Sequence, residues 1–252
     1  MTAVGINGIA GRMGQTVLET ARERDDVTVT FGIDVDSDAD LPVPVYSPDE
    51  TETALAEHDP EVVIDFTVPE ATTALAQACA DAGVGLVVGT TGFEEDGSAV
   101  LSETSAEVPL LKATNFSRGI QALLRSLGPA LEALSTYDVE VMETHHNAKR
   151  DAPSGTAKTI LEEIGEYREF NTVPGREGIQ PREEDEVGML VRRAGDIRGE
   201  HEITIAGNDE VLTLQHRAED RAVFAAGALD AAVWLAGREA GRYEFGDVID
   251  DS

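Results

Sequence analysis

From residue 3 to residue 113 the chain repeats one phrase: a short, almost wholly apolar run, then a stretch with apolar residues three and four apart. Ala3 to Asn7, Val27 to Asp34, Val62 to Phe66, the "GLVVGTT" run from Gly85, and Val108 to Ala113 read as strands. Between them, Arg12 to Arg24 places Met13, Val17, Leu18 and Ala21 at helical spacing, Glu50 to Glu57 reads as a helix, and Pro69 opens another. Strands that are apolar without alternation are buried on both faces. A sheet achieves that when it is parallel and covered by helices on each side. Right-handed crossovers then give a Rossmann-like doubly wound domain.

The second half follows a different rule. Ile120 to Leu134 is a long amphipathic helix, and "DVEVMET" from Asp138 alternates like a half-buried strand. Thr156 to Ile164 is helical, and the polar, Pro- and Gly-containing stretch from Tyr167 to Asp185 reads as a long loop. Val187 to Arg192, Glu202 to Ala206 and Val211 to His216 read as strands, the last two joined by a hairpin turn at Gly207 to Asp209. A strongly apolar helix from Arg221 to Gly237 closes the pattern. The expected fold class is α/β, a Rossmann-like doubly wound parallel-sheet domain plus an α+β domain, with no internal repeat.

Charge limits the partners. The chain carries 49 acidic against 19 basic residues, a net charge of −30. Nucleic acid is not an expected partner, because phosphate binding needs clustered cations. No apolar run reaches the roughly 18 residues of a membrane helix, so no membrane partner is expected either. "MTAVGINGIAGRMG" has no basic segment ahead of an apolar one, so no secretory signal is expected. Cys79 is the only cysteine and sits in the apolar helical pattern from Ala71 to Ala82, which suits a buried structural thiol and a reducing, cytoplasmic setting. The acid is spread along the chain, and lysine is confined to Lys112, Lys149 and Lys158. Spread acid with scarce lysine resembles proteins of salt-loving archaea. At about 1 M salt the screening length is only about 3 Å, so carboxylate repulsion is muted there and destabilises the fold in dilute buffer.

"GINGIAGRMG" places Gly8, Gly11 and Gly14 where the first strand turns into the first helix. Gly8 can take the turn, Gly11 permits close backbone approach, and the helix N-terminus offers free N–H groups to a pyrophosphate. The spacing is GxxGxxG rather than GxGxxG, so its strand–turn–helix context carries the reading. Asp34, 26 residues beyond Gly8, ends the second strand, where an acid can hold adenosine ribose hydroxyls. Val35 follows with no arginine for a 2′-phosphate, which makes NADH the preferred donor. Arg12 could still reach such a phosphate, so NADPH stays open. Gly89-Thr90-Thr91 and Ala113-Thr114-Asn115-Phe116 end two further strands and suit a nicotinamide ribose and carboxamide.

Scarce positive charge gathers in "ETHHNAKRDAPSGTA", Glu143 to Ala157. HHxxK lacks the spacing of HExxH, no cysteines supply further ligands, and Lys149 and Arg150 would repel a cation, so no metal is expected. Ser154 suits an N-cap, with the Gly155 and Thr156 amides pointing outward. His146, Lys149 and this helix start form a site for carboxylates. A histidine is also a reasonable proton donor near neutral pH.

Together the stretches "GIAGRMG", "VVIDFTVPEAT", "VVGTTGF", "ATNFSRG", "ETHHNAKRDAPSGTA", "RRAGDIRGEH" and "HRAEDRAVFAAGAL" resemble the dihydrodipicolinate reductase family, in family order and over nearly the whole chain. HHxxKxDxPSGTA is the most specific of them. The resemblance implies that Gly8, Ile9, Ala10, Gly11, Arg12, Met13, Asp34, Gly89 to Thr91 and Ala113 to Phe116 bind the dinucleotide. It implies His145 as proton donor or acceptor and Lys149 as a second proton donor that also holds substrate. His146, Gly155 and Thr156 would bind the carboxylates of a cyclic dicarboxylate imine. Hydride would pass to ring C4 of the unsaturated imine, and protonation of the resulting enamine would give tetrahydrodipicolinate, on the diaminopimelate route to L-lysine. It further implies a homotetramer joined through second-domain sheets, with residues 1–115 and 217–252 as dinucleotide-binding domain and 116–216 as substrate-binding and oligomerisation domain. Val35 departs from the family, many members of which carry arginine there. Two other classes keep part of the pattern. Another two-domain dehydrogenase of amino-acid metabolism explains the first half only, and a nicotinamide-sensing regulator would not need His145 and Lys149.

Overall fold

The apolar runs of the first half become neighbours in one parallel sheet. In the computed structural model, which describes residues 1–251, these strands are β1 (Thr2–Asn7), β2 (Val27–Ile33), β3 (Val45–Tyr46), β4 (Val62–Asp65), β5 (Gly85–Val88), β6 (Pro109–Lys112) and, from the far end of the chain, β12 (Gly241–Tyr243). Their order is β12-β6-β5-β4-β1-β2-β3, with every pairing parallel. Sequence order reverses between β1 and β4. The crevice outside the carboxyl ends of strands at such a point is where open α/β sheets bind ligands.

One face of this sheet is covered by α1 (Arg12–Ala21) and α7 (Ala222–Leu235). Their Val17, Leu18, Ala228, Leu229 and Leu235 pack on Val4, Ile6, Ile64 and Val87. The helix α7 is apolar all round because it is buried nearly all round. The other face carries α2 (Thr51–His58), α3 (Pro69–Ala82) and α4 (Glu95–Glu107), with Leu55, Leu75, Cys79 and Leu101 on Phe31, Val63 and Leu86. Cys79 is fully buried, and burial pushes its thiol pKa up, as befits a structural thiol. The unit comprises Met1–Ser117 and the chain from Arg221 onward. It ends in α8 (Phe245–Asp250), whose Phe245 rests edge-on against Phe116.

The second unit, Arg118–Asp220, is built on a mixed sheet. Its strands are β7 (Asp138–His145), β8 (Asn171–Val173), β9 (Glu186–Arg193), β10 (Glu200–Gly207) and β11 (Glu210–Arg217), in the order β11-β10-β7-β9-β8. The helices α5 (Arg118–Ala133) and α6 (Gly155–Gly165) cover one face. Leu123, Leu127, Leu131, Ile160 and Ile164 pack there on Val139, Val141, Val187, Met189, Ile203 and Ile205. The expected hairpin turns on Asn208 and Asp209, both with positive φ, as a tight β-hairpin requires.

Several elements differ from the sequence expectation, among them the six-residue α8, too short to show a periodic pattern. The edge strands β3 and β12 have two and three residues and pair along one side only, so they leave no periodic signal. The strand β8 lies within the stretch expected to be loop, held by Asn171 pairing with Asp185 and Glu186. In α4 most positions are polar or acidic, and Leu101 is its one buried large apolar residue, too little for a visible stripe. Among the described residues no helix is long and apolar enough to cross a membrane.

Candidate active site

In the first unit the glycine turn leaves β1 through Gly8, whose φ of +81° falls in the left-handed region. Gly8 N–H donates to Ile33 O at 2.8 Å, and Gly11 N–H to Gly8 O at 3.0 Å. A Cβ on Gly14 would run into the Gly8 carbonyl oxygen, so this glycine seats α1 tightly against the turn. A Cβ on Gly11 would meet only that same oxygen, at 3.1 Å. No side chain caps α1, so its first-turn amides stay available to an anion. An uncapped helix start behind an open glycine fits a dinucleotide pyrophosphate. Arg12 is exposed and Met13 and Ala10 half-buried, while the Ile9 side chain is core.

The half-buried Asp34 follows β2 and holds the turn itself, its Oδ2 accepting from Ala10 N at 2.8 Å and its Oδ1 from Asp36 N at 3.1 Å. Val35 is 88% exposed. The Gly89–Thr91 loop follows β5, and a Cβ on Gly89 would strike the Phe66 ring. Thr90 Oγ1 is turned inward to Asp65, while Thr91 is exposed. In the loop after β6, Thr114 is exposed and Asn115 Oδ1 accepts from Ser117 N at 2.8 Å. The Phe116 ring is core, stacked edge-on with Phe66 at 5.7 Å. These loops end β1, β2, β5 and β6, all at one edge of the sheet.

The same edge is tied together by a residue not singled out from the sequence. Asp65, fully buried at the end of β4, accepts from Asn7 Nδ2 and Thr67 Oγ1 at 2.7 Å on one oxygen. Its other oxygen takes the hydroxyls of Thr72 and Thr90, each at 2.6 Å. Thr90 Oγ1 in turn accepts from Thr67 N at 2.9 Å. A carboxylate inside the apolar run "VVIDF" is the signal that could have found it.

In the second unit the alternation of β7 carries Val139, Val141, Glu143 and His145 onto its buried side in succession. The first two are core. Glu143 is fully buried and His145 is 9% exposed. Glu143 Oε1 accepts from Ser154 N at 2.9 Å and from Arg193 Nη2 at 3.0 Å, while Oε2 lies 2.7 Å from His145 Nδ1. That last contact is close but bent, so neither atom has a well-aligned partner. Burial alone would raise the Glu143 pKa. His145, Ser154 and Arg193 outweigh it and hold the carboxyl well below the usual range. His201 lies opposite Glu143 on β10, its ring 5.3 Å from that of His145. Burial first, then the neighbouring His145, pushes its pKa down to about 3, so it is neutral at pH 7.

His145 ends β7 and the half-buried His146 starts the following loop. Lys149 Nζ pairs with Asp151 Oδ1 at 2.8 Å. Burial works to raise the Asp151 pKa, but the lysine holds it below the usual value. Ser154 caps α6 as expected, its hydroxyl accepting from Ala157 N at 3.2 Å, which leaves the Gly155 and Thr156 amides ahead of that bond. Thr156 is buried and Gly155 half-buried. The Glu143 carboxylate thus links His145 on the strand to the start of α6. Glu143, His145 and His201 also present ligand atoms within 4.8 Å of one another, but Arg193 already supplies the positive charge at Glu143. Glu143, Arg193 and His201 were not singled out from the sequence. A carboxylate in the row of Val139 and Val141 was the available signal.

Two family models together match nearly the whole chain: "Dihydrodipicolinate reductase, N-terminus" over residues 2–116 and "Dihydrodipicolinate reductase, C-terminus" over 119–249. The chain is 59% identical over 250 residues to 4-hydroxy-tetrahydrodipicolinate reductase of Haloarcula marismortui, covering 99% of this chain and 100% of that protein. It is 53% identical to the protein of the same name in Natronomonas pharaonis, covering 98% and 99%. Among solved structures it resembles the dipicolinate-bound dihydrodipicolinate reductase of Paenisporosarcina sp. TG-14, with a TM-score of 0.79 and 23% identity over 97% of each chain. At that identity the likeness speaks for the fold.

Proposed function

This chain belongs to the dihydrodipicolinate reductase family, and we propose that it works as an NAD(P)H-dependent 4-hydroxy-tetrahydrodipicolinate reductase of lysine biosynthesis. The observation that carries the reading is the Glu143 carboxylate, which joins His145 to the start of α6 and so puts a proton-carrying ring and a carboxylate-binding helix start into one assembly. When bound, the reduced nicotinamide supplies a hydride to ring C4 of the unsaturated imine left after loss of water. His145 and Lys149 then deliver the proton that turns the enamine into tetrahydrodipicolinate. His146, Lys149 and the Gly155 and Thr156 amides hold the two substrate carboxylates through charge-assisted bonds worth about 1.5–3 kcal/mol each.

The dinucleotide is assigned to Gly8–Met13, Asp34, Gly89–Thr91 and Ala113–Phe116. Phe116 contributes through its backbone, and Thr90 by positioning its loop. NADH is the preferred donor, because the exposed Val35 offers nothing to a 2′-phosphate. The protein acts as a homotetramer in a salt-rich cytoplasm. What supports the oligomer is the sheet face away from α5 and α6, where Met142 pairs with Leu190, itself 40% exposed. What supports the salt is the net charge of −30.

The test is absorbance-monitored nucleotide oxidation in molar KCl, with substrate made in place from pyruvate and aspartate semialdehyde by the upstream synthase. Oxidation that depends on the synthase is expected, faster with NADH than NADPH. Folded protein that binds NADH and oxidises neither nucleotide would overturn the reading in favour of a nicotinamide-sensing regulator.

A further inference from the structure

His145 can exchange a proton with substrate through only one of its nitrogens. Nδ1 is wholly buried, with Glu143 Oε2 at 2.7 Å. Nε2 lies beside Gly199, where a Cβ would come within 3.1 Å of it, so glycine keeps that flank clear. We infer that Glu143 is the positioning residue for His145: its Oε2 keeps a proton on Nδ1, so that Nε2 alone alternates between protonated and bare. The inference rests on the proposed role of His145 as proton donor and adds how that role is enforced.

The assignment of the two carboxylate oxygens leaves little freedom. Oε1 is taken by Ser154 N and Arg193 Nη2, both obligatory donors. Only Oε2 is left for the ring, and a carboxylate oxygen accepts but never donates. The same Arg193 Nη2 also donates to the Asp151 carbonyl at 2.6 Å, and Nη1 donates to Arg192 O at 2.8 Å, which holds the guanidinium on the Oε1 side. The buried ring of His201, with Nε2 4.0 Å from Oε2 and 3.3 Å from Ser154 Oγ, closes the remaining side. The charged and titratable groups facing the pair are thus Arg193 from β9, His201 from β10 backed by His216 of β11, and Lys149 and Asp151 from the loop after β7.

Glu143→Gln separates this role from packing. The amide has the same volume. Its carbonyl oxygen must stay where Ser154 N and Arg193 donate, which turns the NH2 toward His145 Nδ1. That NH2 donates, so Nδ1 must be bare, and the ring is trapped as the neutral Nε2–H tautomer, a poor acid. The expected loss in kcat is about 10²–10⁴-fold, the range for removing a general acid or trapping the wrong tautomer. NADH and pyridine-2,6-dicarboxylate should bind within a few-fold of wild type. The 15N shifts of the His145 ring should report Nδ1–H in wild type and Nε2–H in Glu143→Gln. In a His145→Ala background, Glu143→Gln should cost no more than about twofold, since residues acting as one unit are not additive.

Near-wild-type kcat in Glu143→Gln, unchanged ring tautomers, or a full additional loss in the His145→Ala background would each overturn the inference. Glu143→Asp keeps the charge and shortens the reach. Its His145 15N shifts should still report Nδ1–H even as the rate falls, and it carries the test if the glutamine variant does not fold. Absence of turnover in wild type would defeat the reductase reading, while the ring tautomers would still decide the role of Glu143.

Discussion

Replacing Asp65 tests what holds the strand-end loops of the first unit together. Four donors converge on this buried carboxylate, from Asn7, Thr67, Thr72 and Thr90. In Asp65→Ala two of them have a fallback: the hydroxyls of Thr72 and Thr67 already lie 3.1 and 3.4 Å from Val68 O. The Asn7 amide and the Thr90 hydroxyl lose their acceptor, and each buried group left unsatisfied costs about 1–3 kcal/mol. The expected loss is therefore about 4 kcal/mol, within the range for breaking a buried charged network. For a chain of this size that lowers the melting temperature by about 8–16 °C. Asp65→Asn keeps one accepting oxygen for Asn7 and Thr67 and offers NH2 to hydroxyls that can rotate, so about half the loss is expected. Denaturant titration in molar KCl measures both, and nucleotide affinity should fall with stability because the Thr67–Thr90 bond joins two strand-end loops. A loss below about 1 kcal/mol in Asp65→Ala would refute the reasoning, since it would mean that the four donors find water or other partners freely.

His145→Ala and Lys149→Ala should each lower turnover about 10²-fold or more while NADH still binds; near-normal rates in both would remove the catalytic assignment. Val35→Arg should shift the NADPH-to-NADH preference upward by about tenfold or more, the worth of one charge-assisted bond to a 2′-phosphate. An unchanged ratio would move the ribose site away from Asp34. His201 carries a pKa of about 3 in the fold against an ordinary 6.5, so the unfolded chain takes up a proton that the fold refuses as pH falls through that window. Between pH 6.5 and 4.5, before the depressed Glu143 begins to lose its own contribution, stability should drop by about 2–3 kcal/mol, and His201→Gln should flatten that slope. The melting temperature should rise from dilute buffer to molar KCl, and a salt-independent value would count against adaptation to salt.

The parallel sheet was legible because its central strands are apolar without interruption, which admits one kind of burial. Edge strands of two or three residues were not, since a strand paired on one side and exposed on the other needs no pattern. The cationic stretch from His145 to Thr156 stood out because positive charge is rare in this chain, and the capping role of Ser154 followed from its place before a helical run. Asp34 was legible as a strand-end acid, but its hydrogen bond to Ala10 was not, because that bond depends on how the glycine turn folds back. The core position of the Phe116 ring was equally hidden, since it depends on Phe66 and Phe245 arriving from distant parts of the chain.

Asp65 and Glu143 escaped notice for the opposite reason to the cations: in a chain with 49 acidic residues, one more acid carries no information by its type. It does carry information by its row. Among the described residues these are the only two buried acids, each at or near the carboxyl end of a strand, and each with its oxygens occupied by groups from separate segments. The surface acids can rely on dissolved ions, because screening acts where solvent reaches. A fully buried carboxylate lies beyond that reach and must be neutralised by donors the fold itself supplies: Asn7 and three threonines for Asp65, Ser154, Arg193 and the His145 ring for Glu143. Raising the salt concentration can therefore quiet the repulsion of the whole surface and still not substitute for Thr72 or Arg193. The two acids that salt does not serve are the two around which the strand-end loops proposed for the cofactor and the histidine proposed to carry the proton are organised.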